Sequence, residues 1–146
     1  METISTKYSF GDFSSDLTSL KNSKIVIFPF PYEKTTSYQK GTCMGADAII
    51  DASKNLEFYD EEFDFEVYKK GIHTVTQFNK DNINFLPPVE ALKKLQNAIT
   101  LYTMSDKFVV VIGGEHTITA ALIPVYLKKY PDLTILHFDA HSDLRD

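Results

Sequence analysis

Apolar residues follow two rhythms along this chain. Lys24-Ile25-Val26-Ile27-Phe28-Pro29-Phe30 and Phe108-Val109-Val110-Val111-Ile112 are nearly unbroken apolar runs, the pattern of strands covered on both faces. Leu133-Thr134-Ile135-Leu136-His137-Phe138 reads as a third strand, ending at Asp139. The first run is expected to stop at Pro31 and the second at Gly113-Gly114. Between the runs the period lengthens to that of a helix. Val89, Leu92, Leu95, Ile99 and Tyr102 form one apolar face behind Pro87-Pro88, and proline is tolerated in a first helical turn. Residues 45–59, with Ala46, Ile49, Ile50, Ser53, Leu56 and Phe58, predict a further helix. Residues 116–130 predict another, kinked or short of one backbone bond at Pro124. Residues 63–78 carry a weak strand signal, enough for one or two short strands. Residues 1–23 are polar and expected on the surface, and residues 31–44 read as a loop.

Strand, helix and strand, with apolar strands, predict an α/β fold: a mainly parallel sheet with helices on both faces. No repeat, low-complexity tract or linker divides the sequence, so residues 1–146 read as one domain, long enough to bury a core. Eight Tyr and eleven Phe argue against disorder. A net charge of −5 disfavours a nucleic-acid surface, which needs clustered Lys and Arg. No apolar run approaches membrane-spanning length, and the polar N-terminus is not a secretory signal. Cys43 stands alone, which excludes an internal disulfide and a zinc site built on thiolates, and fits a reducing, cytoplasmic compartment.

The chemistry is expected where the strands end. Ligand sites of open parallel sheets form at the carboxyl ends of strands. His116 follows one apolar run, in Gly113-Gly114-Glu115-His116-Thr117, and Asp139, His141 and Asp143 follow the next, in Asp139-Ala140-His141-Ser142-Asp143. In an extended segment the three alternate residues face one way. Carboxylates and imidazoles without thiolate suit manganese, and also zinc, iron or nickel. Two divalent ions would outweigh the carboxylates of Asp139 and Asp143, and Glu115 is a possible local contributor of charge. The residues thus read as half of a two-metal site.

Taken in order, Val111-Ile112-Gly113-Gly114-Glu115-His116-Thr117, His137-Phe138-Asp139-Ala140-His141-Ser142-Asp143-Leu144-Arg145 and the loop Pro31-Tyr32-Glu33-Lys34-Thr35-Thr36-Ser37-Tyr38-Gln39-Lys40-Gly41-Thr42 resemble segments of the ureohydrolase (arginase) family, which includes the agmatinases. The resemblance runs from Lys24 onward. It implies the three-layer α/β/α fold of the arginase–deacetylase type and two manganese ions per complete site. It assigns His116 and Asp143 to the first ion, Asp139 to a bridge and His141 to the second ion. It implies attack of a bridging hydroxide on a guanidinium carbon, with agmatine the leading substrate and putrescine and urea the products, a step of polyamine biosynthesis. Arginine, guanidinobutyrate and formiminoglutamate are the other substrates implied. The partner expected is thus a small cationic guanidino compound, in a homo-oligomer, trimer or hexamer. Glu115 stands where arginases usually carry aspartate, and the family's third motif, of Ser-x-Asp-x-Asp type, is missing. The domain is therefore expected to be incomplete at its C-terminus, and the 146-residue chain alone inactive.

A polar turn after a strand would explain Asp139, His141 and Asp143 taken alone, but not together with Gly113-Gly114-Glu115-His116 one strand earlier. His137 reads as a hydrogen-bonded core histidine, His73 as a surface residue and Cys43 as a plain loop residue. A binuclear phosphoesterase is the rival enzyme, though its Gly-Asn-His motif is absent. A non-catalytic assembly module is the rival from another class.

Overall fold

An unbroken apolar strand is stable only where both of its faces are covered, and β1 (Ile25–Phe30) meets that condition in the centre of the sheet. The computed structural model describes residues 8–143. In chain order its elements are α1 (Ser15–Thr18), β1, α2 (Gly45–Ala52), β2 (Ile72–Thr74), α3 (Lys80–Ile83), α4 (Pro88–Met104), β3 (Phe108–Gly113) and α5 (Thr119–Lys129), joined by 3-10 turns and loops. The strands are parallel, in the order β2-β1-β3. Alternate residues of β1 feed two cores. Val26, Phe28 and Phe30 pack with Leu95 and Ile99 of α4 and Ala121 and Val125 of α5. Ile27 packs on the other face with Ile50 of α2 and Ile72. Helix, sheet and helix make the three layers expected, and the α/β reading holds.

β1 ends at Phe30, before Pro31 as expected, and it tolerates Pro29 inside it. The backbone geometry explains why. Ile25 N–H donates to Gly71 and the Ile27 carbonyl accepts from Val75, so odd-numbered residues of β1 face β2. Pro29 faces the same side beyond Thr74, where β2 has ended, so its missing N–H costs no ladder bond.

Other elements differ in extent. α2 stops at Ala52 because the Ser53 hydroxyl donates to the Ile50 carbonyl (2.6 Å) and accepts from Gly11 N–H (2.9 Å), and Leu56 is already extended. The buried stripe of α4 is Ala91, Leu95, Ile99 and Thr103, while Val89 is 77% exposed. Residues 63–78 hold one strand, and His73 lies half-buried in it, its Nδ1 2.9 Å from the Thr18 carbonyl. Tyr8, Phe10 and Phe13 pack against the second core rather than running over the surface. Residues 1–7, and Leu144 and Arg145 of the second motif, lie outside the described residues.

The expected strand at 133–138 is not formed. Ile135, Leu136 and Phe138 are 55%, 77% and 92% exposed. Among the described residues neither core reaches them, so the segment lacks the two-sided cover such a strand requires.

Candidate metal centre

Phe30 and Gly113 pair at the carboxyl ends of β1 and β3, so the segments leaving them start side by side. Gly114 N–H donates to the Phe30 carbonyl (3.3 Å) and Glu115 N–H to that of Tyr32 (3.0 Å). A Cβ on Gly114 would lie 2.1 Å from the Tyr32 carbonyl oxygen, so glycine is required here by backbone contact rather than by a sharp turn. This contact delivers His116 to the edge of an open cleft of about 1060 Å³. Thr35, Ser37, Tyr38 and Gln39 line it on the loop side, with His137 and Asp143 opposite.

The donor atoms of His116, His137, Asp139 and Asp143 all lie within 4.8 Å of one another. His116 Nδ1 is 2.8 Å from Asp143 Oδ2 and 4.0 Å from Asp139 Oδ2. His137 Nε2 is 3.6 Å from Asp139 Oδ2, and its ring centroid is 5.4 Å from that of His116. The Asp139 carboxyl is held below its usual range, first by the His141 backbone N–H (2.8 Å) and then by the imidazoles of His137, His141 and His116. An acceptor-rich carboxylate pair flanked by imidazoles, with no thiolate, fits a divalent cation.

The structure places the four sequence-predicted ligands unequally. His116, Asp139 and Asp143 converge. The His141 side chain is 82% exposed, with Nδ1 3.4 Å from Asp139 Oδ1, outside the four-residue group. Its orientation follows from the backbone: Asp139 accepts the His141 N–H in a local Asx turn, and Asp143 has φ +52°, so alternate residues no longer face one way. His137, expected in the core, is exposed and belongs to the group.

Two glutamates hold the loop that rims the cleft. The Glu33 carboxylate accepts from the backbone N–H groups of Gly41 (2.9 Å) and Cys43 (2.9 Å), which hold it below the ordinary glutamate range. The Glu115 carboxylate, read from sequence as charge for the metals, accepts instead from Lys34 and Thr35. Neither tie is visible in sequence, because each joins a side chain to the backbone N–H groups of a loop without periodicity.

The arginase family model matches residues 23–146. The chain is 35% identical to the N(1)-aminopropylagmatine ureohydrolase of Synechocystis sp. over 91% of its own length and 44% of that protein. It is 33% identical to the agmatinase of Bacillus cereus, over 95% of this chain and 47% of the relative. In structure it resembles a candidate agmatinase from Clostridium difficile, with a TM-score of 0.75 and 25% identity over 87% of this chain and 45% of the other. The agmatine ureohydrolase of Thermoplasma volcanium shares the fold, with a TM-score of 0.63 and 21% identity over 77% and 39% of the two chains. The chain thus spans just under half the length of the curated relatives it matches.

Proposed function

The chain belongs to the arginase family, and from that premise we propose that it carries part of the two-metal site of an enzyme that hydrolyses a guanidino compound to urea and an amine. The observation that supports this most is the convergence of the His116, Asp139 and Asp143 donor atoms at the ends of adjacent segments. We assign His116, Asp139, His141 and Asp143 as protein ligands of a manganese pair, Asp139 serving both ions. Manganese held there would lower the pKa of a water and so supply the nucleophile for a guanidinium carbon. The chain's own share is to present the ligands at one end of the sheet and to wall the cleft with the loop at 35–42. The remaining ligands are assigned to sequence that the longer relatives have and these 146 residues lack, so the chain alone is proposed to be inactive.

Agmatine is the proposed substrate, with N1-aminopropylagmatine as its alternative, after the names of two relatives. The cleft supports a tail bearing an amine over one bearing a carboxylate. Thr35, Thr36, Ser37, Tyr38 and Gln39 are neutral, and none of the described lining residues is Lys or Arg, the side chains that recognise carboxylates. The same reading carries a cytoplasmic homo-oligomer, trimer or hexamer. Among the described residues no helix is long and apolar enough to cross a membrane. The test is urea release from agmatine, N1-aminopropylagmatine and arginine by the manganese-loaded protein expressed from its complete reading frame. Turnover of either amine-tailed compound above arginine is expected. No urea from any of the three would overturn the reading.

A further inference from the structure

Glu115 is a buried carboxylate, 8% exposed. Among the described residues no Lys, Arg or His lies within ion-pair reach of it. Burying a carboxylate is costly unless hydrogen bonds compensate. Here three converge on it: Lys34 N–H to Oε2 (3.1 Å), Thr35 N–H to Oε2 (2.8 Å) and the Thr35 hydroxyl to Oε1 (2.7 Å). Thr35 Oγ1 also lies 3.1 Å from Thr117 Oγ1. The far end of the same loop returns to the same turn, because the Thr42 hydroxyl donates to the Gly114 carbonyl (2.7 Å). Residues 36–39, which line the cleft, are therefore strung between two ties to the Gly114-Glu115 dipeptide, directly beside His116.

We infer that Glu115 is a positioning residue, which fixes the substrate-side rim of the cleft relative to the metal ligand next to it. This rests on the guanidino-hydrolase reading for its effect on turnover, but not for its effect on the loop. The carboxylate suits the task because it presents only acceptors to three donors. An amide in its place keeps one acceptor for the two N–H groups but loses the charge that strengthens those bonds, and its NH2 forces the Thr35 hydroxyl to accept instead of donate. Aspartate is one methylene shorter and cannot meet Lys34 and Thr35 from the same Cα position without moving the loop. A rim set in place before substrate arrives lowers the ordering cost of binding, so loss of the tie falls on KM more than on metal content.

The test uses the protein expressed from its complete reading frame, as wild type and as Glu115→Gln, Thr35→Val and Thr35→Ser. Amide hydrogen exchange at residues 34, 35 and 41 reads the loop, with α4 amides as the control for folding. Glu115→Gln is expected to raise loop exchange by about tenfold or more while α4 is unchanged. Manganese content stays at the wild-type level, KM for the guanidino substrate rises about tenfold, and kcat changes by less than about threefold. Thr35→Val moves loop exchange and KM in the same direction by less, and Thr35→Ser recovers most of the loop protection. Unchanged loop exchange in both Glu115→Gln and Thr35→Val would overturn the tie. A loosened loop with unchanged KM would overturn the positioning role while leaving the hydrolase reading intact. Absence of urea from the wild type would remove that reading and the positioning role together, with the loop data still deciding the tie.

Discussion

His116 Nδ1 stands 2.8 Å from Asp143 Oδ2, so the residues that follow β3 and the residues that follow α5 meet at one point. That contact is between a metal-type nitrogen and a metal-type oxygen, and its closeness means that one cation can replace the contact and take both. In the protein expressed from its complete reading frame, Asp139→Asn removes an anionic oxygen from the same point and is expected to abolish binding of both ions, measured as manganese bound per chain after gel filtration. Wild-type stoichiometry in this variant would contradict its bridging assignment.

The two nearby histidines separate on the same measurement. His141→Asn is expected to lower the stoichiometry from two ions to one, and His137→Asn to retain both. The opposite pattern would transfer the ligand role to His137, whose Nε2 lies 3.6 Å from Asp139.

The Gly114 contact predicts a difference between neighbouring glycines. Gly114→Ala drives a Cβ into the Tyr32 backbone and is expected to cost about 1–3 kcal/mol in urea denaturation. At Gly113 the Cβ would meet the end of the Ile118 side chain, which can rotate away, so Gly113→Ala is expected to cost less. Equal costs would contradict the backbone contact as the reason for Gly114.

The face of α4 is tested by two truncations. Leu95 is fully buried, and Leu95→Ala is expected to cost about 2–5 kcal/mol. Val89→Ala, at a position 77% exposed, is expected to stay within about 0.5 kcal/mol of wild type.

Glu33 gives the loop a pH dependence. Its pKa is lowered in the folded chain by Cys43 and Gly41 N–H groups, so it binds fewer protons folded than unfolded at mildly acid pH. The stabilisation is therefore complete above the ordinary glutamate value and is lost as pH falls through the lowered one. The Glu33 carboxyl carbon shift in NMR should titrate below the ordinary glutamate range, with the Gly41 and Cys43 amides moving with it. A midpoint at or above the ordinary value would contradict the anchor.

The strands β1 and β3 and the helix α4 were legible because their apolar spacing is set by the cores they enter. The candidate ligands His116, Asp139 and Asp143 were legible as types placed after apolar runs. The segment at 133–138 reads as a strand by composition, but composition cannot say whether a neighbour covers it, and Phe138 is 92% exposed. The orientation of His141 was hidden because it depends on the Asx turn at Asp139, a local choice that alternation does not report. The length of α2 was misjudged because the Ser53 hydroxyl, rather than a glycine or proline, ends it. Pro31 marked the strand end in sequence, and the short reach of β2 leaves room for Pro29 inside β1.

The most direct test of the central claim is urea release from agmatine by the manganese-loaded protein expressed from its complete reading frame, compared with its Asp139→Asn variant. The account predicts urea from the wild type and loss of nearly all of it in the variant. A wild type that binds manganese yet releases no urea from agmatine or N1-aminopropylagmatine, or a variant that keeps full activity, would contradict it.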